Sequence, residues 1–96
     1  MAAPSMKIEY SPEIKEAMKA GTVTKSELYA DFCRHIHGDF GDVSPDDVKM
    51  NQEAIRTRSG EVWSMYPAVH GERKIYLIQG FRGSEDIGLF CFVGEL

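Results

Sequence analysis

Arg34-His35-Ile36-His37-Gly38-Asp39-Phe40-Gly41 is the stretch richest in reactive side chains. His35, His37 and Asp39 spell H-x-H-x-D, which supplies metal ligands in metallo-β-lactamase-type hydrolases. There the next position is a further His; here it is Phe40, and the distant ligands of that architecture need a much larger sandwich than this chain can hold. Cys33 and His37 are four apart on one helical face, a spacing that can chelate zinc, with His70 as a third ligand. The plainer reading keeps Cys33 in the core and sets His37 at a helix end, against the last carbonyls and the dipole. That reading is favoured, and no metal or other cofactor is expected. A neutral His and a carboxylate can also do acid–base work near pH 7, so a small phosphodiester hydrolase or nuclease using His35 or His37 with Asp39 stands as an alternative. Asp39-Phe40-Gly41 repeats the kinase metal-binding tripeptide, but without a glycine-rich loop or a catalytic loop the match is coincidental.

Other catalytic signatures are missing. There is no G-x-S-x-G elbow, no P-loop and no G-x-G-x-x-G, and Ser64, Ser84 and Cys33 have no base and orienting acid at a diagnostic spacing. No catalytic residue is assigned. Asp39, Asp42, Asp46 and Asp47 form an acidic group that lacks EF-hand spacing. Asp47 suits a helix cap, and Asp39 and Asp42 suit turns that bond their own backbone; the functional reading is an acidic patch facing a basic partner surface. Arg56, Arg58, Arg73 and Lys74, with Arg82, would make a weak basic rim, which carries the third reading, a weak nucleic-acid-binding module. Eleven Lys plus Arg against fifteen Asp plus Glu give a net charge of -4, so nucleic acid is not the expected partner.

These side chains must be positioned by a helical first half and a β-rich second half. Ser11-Pro12-Glu13 starts a short helix that Gly21 ends. Thr24 and Glu27 form a capping box for a second helix, whose stripe of Leu28, Phe32 and Ile36 is the strongest amphipathic signal, and Gly38 ends it. Gly38 to Val43 is a loop. Ser44 caps a third helix with a thin apolar stripe of Val48, Gln52 and Ile55, ended by Ser59-Gly60. Val62 to Tyr66, Lys74 to Ile78 and Ile87 to Val93 read as strands, joined by turns at His70-Gly71-Glu72 and Arg82 to Asp86. The expected fold is α+β: two to three N-terminal helices followed by a three-stranded antiparallel β-meander, with the helices on one face of the sheet. In the third strand Phe90 and Phe92 share one face while Leu89, Cys91 and Val93 share the other. A strand apolar on both faces is either central and covered or part of a partner interface.

At 96 residues there is room for one domain, read as 8–96 behind a flexible tail over 1–7. Dimerisation through a strand edge or an apolar sheet face would supplement its thin core. The first residues lack the apolar segment of a secretory signal, and no apolar run approaches a membrane span. Cys33 and Cys91, without a C-x-x-C pair, fit free thiols in a reducing cytoplasm, with no membrane involvement.

Arg34, His35, Gly38, Asp39 and Gly41, then Asp47, Asn51 and Ala54, then Ser64 and Tyr66, and finally Ile75 and Ile78 follow a recurring order. It resembles a group of small bacterial proteins carried on plasmids, conjugative elements and prophages, with a core of R-H-x-x-G-D-W-G, D-x-x-x-N-x-x-A, S-x-Y and an I-W-I-I-T-E strand. The resemblance spans roughly residues 28–82. Phe40 and Tyr76 stand where that group has Trp, and Gln79-Gly80 stand for Thr-Glu. It implies a mobile-element setting and points to His35, Asp39 and Asn51, with Asp39 bracing the loop through backbone N–H groups and Asn51 tying that loop down. The expectation is a small non-enzymatic interaction protein that binds a host protein or complex, a defence or nucleic-acid-processing assembly among the candidates. The contact surface is expected on the loop, at His35, His37, Asp39, Phe40, Asp42 and Asn51.

Overall fold

A computed structural model describes residues 6–71 and 73–96. The element order is β1 (Met6–Tyr10), α1 (Pro12–Ala20), α2 (Lys25–Ile36), α3 (Pro45–Thr57), β2 (Glu61–Pro67), β3 (Lys74–Gly80) and β4 (Asp86–Phe92). The α+β class and the three helices hold, but a strand precedes the helices and the sheet is larger than expected. It has four strands in the order β1-β4-β3-β2, with β2, β3 and β4 antiparallel and β1 parallel to β4. Met6-Lys7-Ile8-Glu9-Tyr10 alternates partly buried and exposed residues, the period-two pattern of a half-buried strand. Met6 and Lys7, expected in the tail, therefore belong to the sheet; the rest of that tail, residues 1–5, lies outside the described residues. So does Glu72 in the expected turn before β3.

The helix ends follow their local chemistry. The Ser11 hydroxyl accepts from the Ile14 N–H, and Gly21 closes α1 in the left-handed region. Thr24 and Glu27 complete a reciprocal capping box at α2, and Ser44 caps α3 by accepting from the Asp47 N–H. α3 ends on Arg58, the one non-glycine residue at positive φ (52°) among the described residues.

Helices cover one sheet face. Ile14, Val23 and Leu28 pack there with Tyr66, Ile75, Leu77, Phe90 and Phe92, and each such large side chain contributes about 1.5–3 kcal/mol when fully buried. Ala54 of α3 joins a smaller cluster with Phe40 and Val62 beside the β2 edge. α2 is rotated from the expected stripe. Its buried residues are Leu28, Asp31 and His35, while Ile36 is 49% exposed. The hydrogen bonds made by His35 set that rotation, as described below.

β4 lies between β1 and β3, which explains why it is apolar on both sides. Phe90 and Phe92 point to the helices. By alternation and register, Ile87, Leu89 and Cys91 share the opposite face with Tyr76 and Ile78 of β3 and Trp63 and Met65 of β2. Neither packed cluster contains any of these residues.

Candidate functional site

The residues quoted for the resemblance converge on β2. This strand is at the sheet edge, where outward N–H and C=O groups invite pairing with another chain. Here those groups are occupied. The Asn51 amide donates to the Trp63 carbonyl (2.8 Å) and its oxygen accepts from the Trp63 N–H (3.0 Å). Two residues on, the Met65 N–H donates to the Phe40 carbonyl (3.0 Å) and the Met65 carbonyl accepts from the Asp42 N–H (2.7 Å). Gly41 forms a parallel bridge to Met65. Only glycine fits there: its φ is 72°, and a Cβ would lie 2.1 Å from the Met65 carbonyl oxygen.

The preceding side chains hold this clamp in place. Asp39 takes two hydrogen bonds from Arg34 (2.8 and 3.3 Å) and one from the Gly41 N–H (3.1 Å). The Arg34 bond first, and the Gly41 N–H second, hold the Asp39 carboxyl below its ordinary range. The Arg34 guanidinium lies 4.7 Å from the Tyr66 ring centre, and the Tyr66 hydroxyl donates to the Asp39 carbonyl (2.7 Å). Burial pushes the Tyr66 phenol up to about 12, so it remains a donor. Asp39 thus braces the loop as expected. Asn51 does not tie down the loop; it holds the strand.

His35 is 2% exposed and starts a polar chain through the interior. The Gln79 amide nitrogen donates to Asp86 (2.9 Å), so the Gln79 oxygen faces His35 Nε2 (2.8 Å) and that nitrogen carries the proton. His35 Nδ1 then accepts from the buried Ser64 hydroxyl (2.5 Å). Burial lowers the His35 pKa, with the Gln79 bond opposing it, which keeps the ring neutral at pH 7. At the far end Arg58 donates to the 1%-exposed Asp86 carboxylate (2.7 Å). Pairing this buried charge gives Arg58 a reason to occupy a backbone region that costs a side-chain-bearing residue about 1 kcal/mol. A cleft of about 580 Å³, walled by Phe32, Ile36, Ile55 and Phe81, opens over His35, Gln79 and Asp86.

The expected loop surface is therefore split. His35, Phe40 and Asn51 are buried, whereas His37, Asp39 and Asp42 are exposed. His37 Nδ1 donates to the Cys33 carbonyl (2.7 Å), the helix-end role. His70 is exposed in the β2–β3 connection. Among the described residues no group of three or more His, Cys, Asp or Glu is arranged to hold a metal ion. The four expected cations do not form one surface either. Arg56 pairs with Glu53 and Arg58 with Asp86 near one end of β3. At the other end, about 20 Å along the strand, Arg73 pairs with Glu13 (2.9 Å) and Lys74 with Asp42 (3.3 Å).

The uncovered sheet face holds what the site residues omit. The Trp63 and Tyr76 rings meet edge to face at 5.1 Å and 82°. Met65, Ile87 and Leu89 are half-buried around them, and Cys91 is fully buried. Burial, and then the charge of Glu95, push the Cys91 thiol up to about 11, so it stays an unreactive apolar group. Period-two alternation in the last strand already put Leu89 with Cys91; the same alternation in β2 sets Trp63 with Met65. Their union with Tyr76 on a single face depends on strand register, which the sequence did not specify.

No family model, curated protein or solved structure matches the chain. Among the described residues no helix is long and apolar enough to cross a membrane.

Proposed function

We propose that this chain is a small non-enzymatic interaction protein of a mobile genetic element, acting in the cytoplasm by binding a host protein or complex. Its contact surface is the helix-free face of the sheet. One observation carries the reading: Trp63, Met65, Tyr76 and Leu89 share a face over which no helix packs among the described residues. Aromatic residues and methionine are enriched where proteins dock, and an apolar patch of this kind marks an interaction site. The mobile-element setting is what the sequence resemblance implies, and a defence or nucleic-acid-processing assembly is among the candidate partners.

The hydrolase reading has less support. His35 has both ring nitrogens engaged, and Asp39 is held by Arg34. The nucleic-acid reading would need cations that are paired and divided between two ends of the molecule.

A photo-crosslinking amino acid placed at Leu89, compared with one at His37, tests the proposal in living bacteria. The expected result is a discrete adduct with a host protein from position 89 and none from position 37. An adduct of twice the chain's own mass would identify a homodimer as the occupant. Crosslinking from position 37 alone would return the contact to the loop and overturn the assignment.

A further inference from the structure

The uncovered face continues, past the β2 edge, into a cleft of about 640 Å³ between that strand and the N-terminal half of α3. Trp63, Tyr76, Met65 and Met50 give it an apolar interior, with Met50 68% exposed. Its border is acidic, formed by Asp42, Asp47 and Glu61. Lys74 pairs with Asp42, but Asp47 and Glu61 have no cationic partner among the described residues. Glu61 is aimed by a hydrogen bond from the Trp63 indole N–H (3.2 Å), which sets its carboxylate beside the aromatic pair.

Trp63 and Tyr76 supply the aromatic surface of the cleft; a cation is drawn to the negative face of such a ring, and an indole face is the strongest such partner among side chains. Methionines suit the alkyl stem that a long basic side chain lays along apolar surface. Carboxylates at the border supply the opposite charge. A guanidinium answers all three features, because it is planar, stacks on aromatic rings and bonds carboxylates. The chain's net charge of -4 draws basic segments toward it.

We infer that this cleft receives an arginine side chain from a basic segment of a partner protein. The inference rests on the open-face reading above and names the chemistry of the partner.

Trp63 is the chain's single tryptophan and reports on the cleft directly. A titration would follow its fluorescence with an acetylated, amidated Gly-Arg repeat hexapeptide, with the corresponding Gly-Glu peptide as control. The expected result is a saturable change with the arginine peptide that weakens as salt rises, and none with the glutamate peptide. Asp47→Asn and Glu61→Gln, checked for folding by circular dichroism, should each weaken binding about two- to fivefold. No saturable change, or equal affinity in both folded variants, would overturn the inference. The two proposals fail separately. Crosslinking to a host protein from position 89 without arginine-peptide binding would leave the interface and remove the basic segment. Peptide binding without a host adduct would leave the cleft and remove the host-protein reading.

Discussion

Asp31 faces inward from α2 at 7% exposure, and its Oδ2 has no hydrogen-bond partner among the described residues. Burial first, and the neighbouring Glu27 second, push its carboxyl up to about 6 against the opposing pull of Arg34. The folded chain thus holds a proton that the unfolded chain, titrating near 3.8, releases. Stability contributed here is fully present below 3.8 and lost as pH rises to about 6. Asp31→Asn should therefore raise unfolding stability by about 1–3 kcal/mol at pH 8 and leave it nearly unchanged at pH 3.5. Urea denaturation at both pH values checks this; equal destabilisation at both would show that the carboxylate has a partner. His35 acts with the opposite sign. Its lowered pKa means that below about 6.5 the unfolded chain takes up a proton the folded chain refuses, so this contribution is present at neutral pH and lost on acidification. In the same denaturation series, His35→Gln should lose the part of the pH dependence that lies just below 6.5; an unaltered slope there would remove His35 as its source.

At the scale of elements, the conspicuous polar motif is a device for closing a strand edge. Asn51 occupies the outward groups of Trp63, and the Phe40–Asp42 backbone occupies those of Met65. Asn51→Ala would orphan two backbone groups and should cost about 2–4 kcal/mol in the same denaturation assay. Gly41→Ala must fit a methyl against the Met65 carbonyl at positive φ, and a loss of at least about 2 kcal/mol is expected. A neutral effect at either site would show that the clamp does not hold β2. The helix caps at Ser11, Thr24 and Ser44 were legible in the sequence because capping is set by residues a few positions apart. β1 was not, although Met6 to Tyr10 alternates cleanly. A five-residue edge strand has no local signal that it will pair in parallel with a strand some eighty residues later. The inward face of α2 was misjudged for a related reason. Two distant polar partners, Ser64 and Gln79, turn His35 into the core, and Ile36 is carried outward with it.

For the whole molecule, helices lie over one side of the sheet and a set of large apolar side chains remains on the other. The sequence indicated that the last strand was apolar on both faces and that this implied either cover or a partner. Its central position in the sheet answers half of that alternative, and among the described residues no helix packs over Leu89 and Tyr76, the face proposed here for a partner. The site residues were harder to place, because a motif rich in His, Asp and Asn looks the same in one dimension whether it reacts or braces. Here burial and hydrogen bonding put His35, Phe40 and Asn51 inside, and the surface proposed for function lies on the far side of β2.

Affinity capture from bacterial lysate with three tagged proteins separates bracing from binding most directly: the wild type, a Trp63→Ala, Leu89→Lys variant of the open face, and a His37→Ala, Asp42→Ala variant of the exposed loop. Circular dichroism would confirm that all three are folded. The account predicts that wild type and the loop variant retain the same host protein and that the open-face variant loses it. Retention by the folded open-face variant, with loss in the loop variant, would contradict it.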